Sequence, residues 1–134
     1  MREDLHGHSP YGALVGTTIV NADADGKTIE VEYDAKHEFT NRIGTISGGM
    51  LSAMLDSVTG LAALVALPEH LTAAHTSLKV EYLRPARPGK LVGRARVVEQ
   101  VDRNLRSEGE LRDPEGTVVA RGEATLRVLR KKDK

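Results

Sequence analysis

The sequence predicts an α+β domain in which one antiparallel sheet wraps around a single long central helix. Three observations predict it. Residues 43–68, IGTISGGMLSAMLDSVTGLAALVALP, are apolar all the way round at helical spacing and end at a proline, the pattern of a buried helix. The segments after it alternate apolar and polar residues between turn signals, the pattern of strands. The chain has 134 residues and shows no linker or repeat, the size of one domain with a single core. Residues 1–134 are therefore read as one domain, with 1–10 and 130–134 loose.

The elements follow in order. Residues 10–16 suit a short helical turn and 17–20 a short strand. DADG at 23–26 is a turn signal, and residues 27–33 then alternate, with Ile29, Val31 and Tyr33 on one face, completing a hairpin. A loop over 37–47 leads into the helix, 48–67, which Pro68 stops. Four strands are expected after it, at 72–82, 90–101, 105–112 and 118–128. RPARPG at 84–89 and DPEG at 113–116 separate them, the second with Pro and Gly where a type I turn favours them. In the last strand Val118, Ala120, Gly122, Ala124, Leu126 and Val128 share one face. A sheet that curls around the helix buries most of its surface, which accounts for a helix without a charged face.

Composition narrows the function classes. Lys and Arg number 19, as do Asp and Glu, and the chain has one Phe, three Tyr and no Trp. Neither a basic nucleic-acid footprint nor a set of base-stacking rings follows from that balance. The absence of cysteine removes disulfides, thiol nucleophiles and thiolate metal sites. His6 and His8 lack a third ligand, so no metal is expected. The N-terminus has no apolar signal-peptide core. Residues 43–68 are long enough to span a bilayer, but four glycines, a central Asp and polar flanks mark a core helix. The expectation is a cytoplasmic chain without a membrane span.

Asp56 is the one charged residue between Ile43 and Pro68, in a chain that is 28% charged. A stretch of that length at average composition would carry about seven charges. A carboxylate on a buried helix costs several kcal/mol unless it is paired, hydrogen-bonded or protonated. Structure, as a cap or an arginine partner, and catalysis are both available explanations. Ser52, Asp56 and Gly60 recur every four residues with Thr59 beside them, a narrow polar stripe on the helix.

Asn41-x-x-Gly44-x-x-Ser47-Gly48-Gly49, followed by Asp56 nine residues after Ser47, resembles the signature of the hotdog-fold acyl-coenzyme A thioesterases of the phenylacetate-degradation (PaaI) type. TSLKVEYLRPARPG at 76–89 is similar to that family's central strand and following turn. The resemblance covers roughly residues 10–130. Where the family has histidine, this chain has Ser47, a smaller side chain that donates one hydrogen bond and caps helices well.

The resemblance implies a hotdog fold, an acyl-coenzyme A substrate with no other cofactor, and homodimers or homotetramers with sites at the dimer interface. Thioester hydrolysis needs a donor for the developing oxyanion and a carboxylate acting as nucleophile or base. Gly48 and Gly49 begin the helix, where N–H groups lack internal partners and the dipole is positive. Gly48 N–H is the expected donor; close helix–sheet packing is the other use for these glycines. Asp56 lies eight residues on, about 12 Å along a helix, so the two meet at one carbonyl across a two-fold axis rather than within one chain.

The resemblance further implies that Asn41 positions water or the thioester; ordering its own loop is the alternative. Thr76 or His75 would stand near the carboxylate, and Ser47 and Gly49 near the carbonyl. Arg84 and Arg87, with Lys90, form a basic turn suited to the coenzyme A phosphates or simply to solvent. Arg103 and Arg106 are further candidates. A non-catalytic acyl-coenzyme A binder and an enoyl-thioester hydratase using His75 are the rival functions.

Overall fold

The computed structural model describes residues 2, 5 and 9–131. His6, His8 and the ends read as loose lie largely outside the described residues. The elements are α1 (Pro10–Leu14), β1 (Thr18–Asp23), β2 (Thr28–Ala35), a 3-10 turn at His37–Phe39, α2 (Gly48–Ala66), β3 (Leu71–Tyr82), β4 (Gly89–Val101), β5 (Asn104–Arg112) and β6 (Val118–Arg130). The strands form one antiparallel sheet in the order β1-β2-β4-β5-β6-β3. This is the α+β hotdog architecture, with α2 as its one long helix.

The helix seats on the sheet where the sheet is thinnest. Gly109 of β5 and Gly122 of β6 are register partners. A Cβ on Gly109 would come within 3.0 Å of Thr59 and 3.2 Å of Val58, and one on Gly122 within 3.5 Å of Leu55. Met54, Leu55 and Val58 are wholly buried there. Tyr33 of β2 reaches under the helix, and its hydroxyl donates to Ser57 Oγ at 2.8 Å in the interior. Gly93 makes room for that ring, since a Cβ there would lie 2.8 Å from Tyr33 Cε2 and 3.1 Å from Val31 Cγ2. The ring is hydrogen-bonded and cannot swing aside. Gly93→Ala is therefore expected to cost about 1–3 kcal/mol through overpacking, read as a lower urea midpoint at unchanged slope.

The outer face of the sheet is charged. Successive register partners give the row Glu30, Arg94, Glu110, Arg121, Glu81 across five strands, so neighbouring strands meet through opposite charges. Val119, which the alternation of β6 places on this polar face, is buried. The segment after β3 folds back over it, with Leu83 and Arg84 N–H both donating to Val119 O at 2.9 and 3.1 Å.

One expectation about α2 needs correction. In the single chain the sheet does not bury most of the helix. Leu51, Met54, Leu55, Val58, Ala62 and Ala63 face the sheet, but Ala53, Asp56, Gly60, Leu61 and Leu64 form a stripe only partly covered. The Asp56 side chain keeps 43% of its surface exposed. By length and composition alone α2 could cross a membrane, yet half of it is packed inside the domain. The helix lacks a charged face because its second face is also apolar, not because one chain encloses it.

Candidate active site

The N-terminus of α2 is built as an open donor site. Ser47 is the N-cap, with extended backbone (φ −56°, ψ 139°), and its Oγ accepts from Gly49 N at 3.3 Å. Met50 and Leu51 N–H donate to Ser47 O at 3.0 and 3.1 Å. Of the first-turn donors, Gly48 N–H has no partner among the described residues, and a helix start makes such a group electropositive. Ser47 thus spends its side chain on the cap.

Tyr82, at the end of β3, lies over Gly48. Its hydroxyl donates to Gly48 O at 3.0 Å and stands 2.6 Å from Ser52 Oγ. The phenol has one proton, given to the carbonyl, so Ser52 is the donor in the second bond. A Cβ on Gly48 would sit 3.1 Å from the ring. Close packing and an accessible N–H are both properties of this glycine.

Asn41 lies in the loop before α2, and its side chain is spent locally. Oδ1 accepts from Ile43 N at 3.1 Å and Thr45 N at 3.2 Å, while Nδ2 donates to Thr45 Oγ1 at 2.9 Å. This is an Asx-type loop, with Gly44 at φ 85° supplying the left-handed step. The loop is tied to the body by Ser47 N donating to Phe39 O and Ile46 N to Ala86 O, each at 2.8 Å. Ile43 projects from its tip, 82% exposed.

Asp56 lies within the open stripe, two turns on from Gly48. Tyr11 Oη donates to its Oδ1 at 2.8 Å, and His75 Nδ1 is 3.6 Å from Oδ2. His75 Nε2 is 2.9 Å from Thr59 Oγ1. That hydroxyl sends its own proton to Leu55 O at 2.7 Å, so Nε2 donates to it. Gly60 leaves space for the imidazole, since a Cβ there would be 3.2 Å from His75 Cε1. Register partners in β3 skip from His75 to Ser77. Thr76 is the extra residue of this bulge, and its hydroxyl donates outward to Thr125 O at 3.1 Å. His75, rather than Thr76, therefore stands beside the carboxylate.

These groups line a cleft of about 330 Å³ between α1, α2 and the start of β3. Leu61, Leu64 and Ala73 form apolar wall; Tyr11, Asp56 and His75 form the polar end. Burial, and then the Asp56 carboxylate accepting its proton, push the Tyr11 phenol far above the usual phenolic range. It remains a donor at any working pH. Tyr11 and Tyr82 were not legible as site residues. Nothing in the short turn 10–16 links it to a residue 45 positions away.

Arg84 and Arg87 are exposed, in the segment whose Ala86 O holds the loop before α2. Lys90 pairs with Glu32 at 3.5 Å. This basic turn lies near the helix N-terminus. Arg103 lies in the turn between β4 and β5, and Arg106 of β5 faces Glu99 of β4 at 3.6 Å. The structure thus gathers Ser47, Gly48, Gly49 and the basic turn at one end of α2. Asp56 and His75 lie near its middle.

Comparison with known proteins agrees with the fold. Residues 5–128 match a family described as a domain of unknown function, DUF4442. The chain is 31% identical over 129 residues to a Halobacterium salinarum protein assigned as an esterase, covering 88% of this chain and 83% of that one. A crystal structure from Ralstonia eutropha, assigned as a thioesterase and described as phenylacetic acid degradation-related, superposes with a TM-score of 0.86. It is 33% identical, with 90% of this chain and 92% of that one covered. A Streptococcus mutans protein solved with acetyl-coenzyme A shares the fold at 18% identity, with a TM-score of 0.78 over 88% of this chain and 92% of that one.

Proposed function

The chain belongs to the DUF4442 family, among the PaaI-type hotdog thioesterases, and on that premise we propose that it hydrolyses an acyl-coenzyme A thioester to the free acid and coenzyme A. The observation that carries this reading is Asp56, held by Tyr11 at the polar end of an apolar-walled cleft. The Streptococcus mutans protein's acetyl-coenzyme A supports the substrate class. In the reaction, water adds to the carbonyl carbon as its proton passes to Asp56, and the carbonyl electron pair moves onto oxygen. The C–S bond then breaks, and the departing thiolate takes up the proton. Attack by Asp56 itself, giving a mixed anhydride that water then opens, uses the same groups.

The oxyanion donor in this reading is the partner subunit's Gly48. Within one chain the Gly48 N–H and Asp56 are about 12 Å apart along α2. β3 is an edge strand of 12 residues, and such an edge presents unpaired backbone groups to a copy of itself. Asp56 lies beside His75 in the first half of β3, and Gly48 lies beneath Tyr82 at its end. Antiparallel pairing of β3 with its copy sets one strand's start against the other's end, and so one chain's Asp56 towards its partner's helix N-terminus. It also covers the open apolar stripe of α2. Asn41 shapes the loop that borders the helix N-terminus, and Arg84 and Arg87 beside it suit the coenzyme A phosphates. The proposal carries with it a cytoplasmic dimer or tetramer that needs no cofactor and has no nucleic-acid partner.

A panel of short, aromatic and long acyl-coenzyme A esters with a thiol-detecting reagent tests this. Release of free coenzyme A from at least one is expected. Binding without turnover across the panel would instead mark an acyl-coenzyme A binder. The Asp56–His75 pair favours one second reading, hydration of an enoyl thioester, which needs an acid–base pair. That reaction keeps the thioester and consumes the enoyl absorbance. His75→Ala retaining every activity would remove it.

A further inference from the structure

The geometry points to Tyr11 as the residue that decides which oxygen of Asp56 reacts: its phenol pins Oδ1, and Oδ2 is left to act on the thioester or on water. This rests on the thioesterase reading above.

Tyr11 is held where it is by the fold rather than by Asp56. Ser9 Oγ caps α1 by accepting from Gly12 N at 3.1 Å. The buried Thr17 hydroxyl donates to Gly12 O at 2.8 Å. Asp34 N donates to Val15 O at 2.9 Å, and Lys36 Nζ to Leu14 O at 2.7 Å. The short helix is thus fastened to its own entry and exit and to β2. Its phenol arrives at the carboxylate from a fixed base.

The two carboxylate oxygens are treated differently. Oδ1 receives a charge-assisted hydrogen bond at 2.8 Å, the stronger class of such bonds. The nearest side-chain nitrogen to Oδ2, His75 Nδ1, is 3.6 Å away, beyond hydrogen-bond range. Imidazole approach is limited because its other nitrogen is anchored to Thr59. Oδ2 therefore keeps its lone pairs towards the cleft. The titratable groups facing Asp56 are Tyr11 from α1, His75 from β3 and, through Ser57, Tyr33 from β2. The partial burial of Tyr11 and its bond to Asp56 keep its phenol protonated, so it acts as a donor and not as a base. A free carboxylate turns easily about its last torsion; one fixed oxygen removes that freedom before substrate arrives. Tyr11 is a positioning residue, acting through Asp56.

Tyr11→Phe keeps the ring and removes the donor. With the best ester of the panel, kcat is expected to fall about 10- to 100-fold while KM stays within about threefold, the signature of lost orientation rather than lost binding. A kcat within twofold of wild type, or a loss carried wholly by KM, would overturn the inference. A second measurement needs no turnover. The chain has three tyrosines, so protein labelled at tyrosine Cζ gives three carbon signals, and the one missing in Tyr11→Phe is Tyr11. It should move in Asp56→Ala; an unmoved signal would show that the phenol does not hold the carboxylate. Failure of the wild type on every ester would end the thioesterase reading and with it the assignment of a reacting oxygen, whereas turnover that is lost in Asp56→Asn and untouched in Tyr11→Phe would end this inference alone.

Discussion

Asp56→Asn is expected to lower kcat for the preferred acyl-coenzyme A by roughly 10²- to 10⁴-fold, the range set by removing a positioned acid–base group. The change keeps the size of the side chain and its acceptor for Tyr11. It removes the charge and the basicity that both the water route and the anhydride route require. Stability should hold within about 0.5 kcal/mol, as for substitutions at partly exposed positions outside the packed core, because the carboxylate is 43% exposed and its contact with His75 is 3.6 Å long. Steady-state rates together with a thermal melt check both halves. An unchanged rate would leave Asp56 as a polar residue on an apolar stripe with no role in the chemistry.

Gly48→Pro is the second large effect, expected at about 10²- to 10³-fold in kcat, the usual cost of one oxyanion donor. The proline deletes the N–H at the first helical position, where its ring geometry is tolerated. The preceding residue, Ser47, already has the extended backbone that a proline demands (φ −56°, ψ 139°). A new Cβ would lie 3.1 Å from the Tyr82 ring, and that ring, 55% exposed, has room to shift. Gly48→Ala meets the same crowding but keeps the N–H. The ratio of the two variants therefore isolates the donor. Equal rates would mean that the oxyanion is held elsewhere.

The fold was legible because its elements differ in period. Apolar residues around a full helix, ended by Pro68, and clean alternation in Ile29–Tyr33 and Ala120–Leu126 each admit one kind of packing. Val119 escaped that rule because the segment after β3 folds over it, a tertiary event that alternation does not encode. The site was legible only as far as spacing carries it. The eight residues from Gly48 to Asp56 keep the two apart within one chain, and the structure adds that Gly48 lies beside Tyr82 at the end of β3 and Asp56 beside His75 in its first half. The bulge at Thr76 was hidden, since one extra residue in a strand leaves no compositional mark, and it follows directly on His75, which stands beside Asp56. The use of Asn41 within its own loop was one of two readings of the residue; choosing between them takes the Ile43 and Thr45 N–H positions. Tyr11 was invisible because nothing local ties α1 to the middle of α2. Asp56 itself stood out for an apolar neighbourhood, but that neighbourhood is an open face and not an enclosed core.

In the proposed site the carboxylate comes from one chain and the oxyanion donor from the other. Mixing inactive Asp56→Asn chains with inactive Gly48→Pro chains tests that sharing. In a dimer formed from one of each, one of the two sites has both Asp56 and the Gly48 N–H. Random reassortment of equal amounts makes half the dimers mixed, so about a quarter of wild-type activity should return. No recovery in proven heterodimers would contradict the shared site.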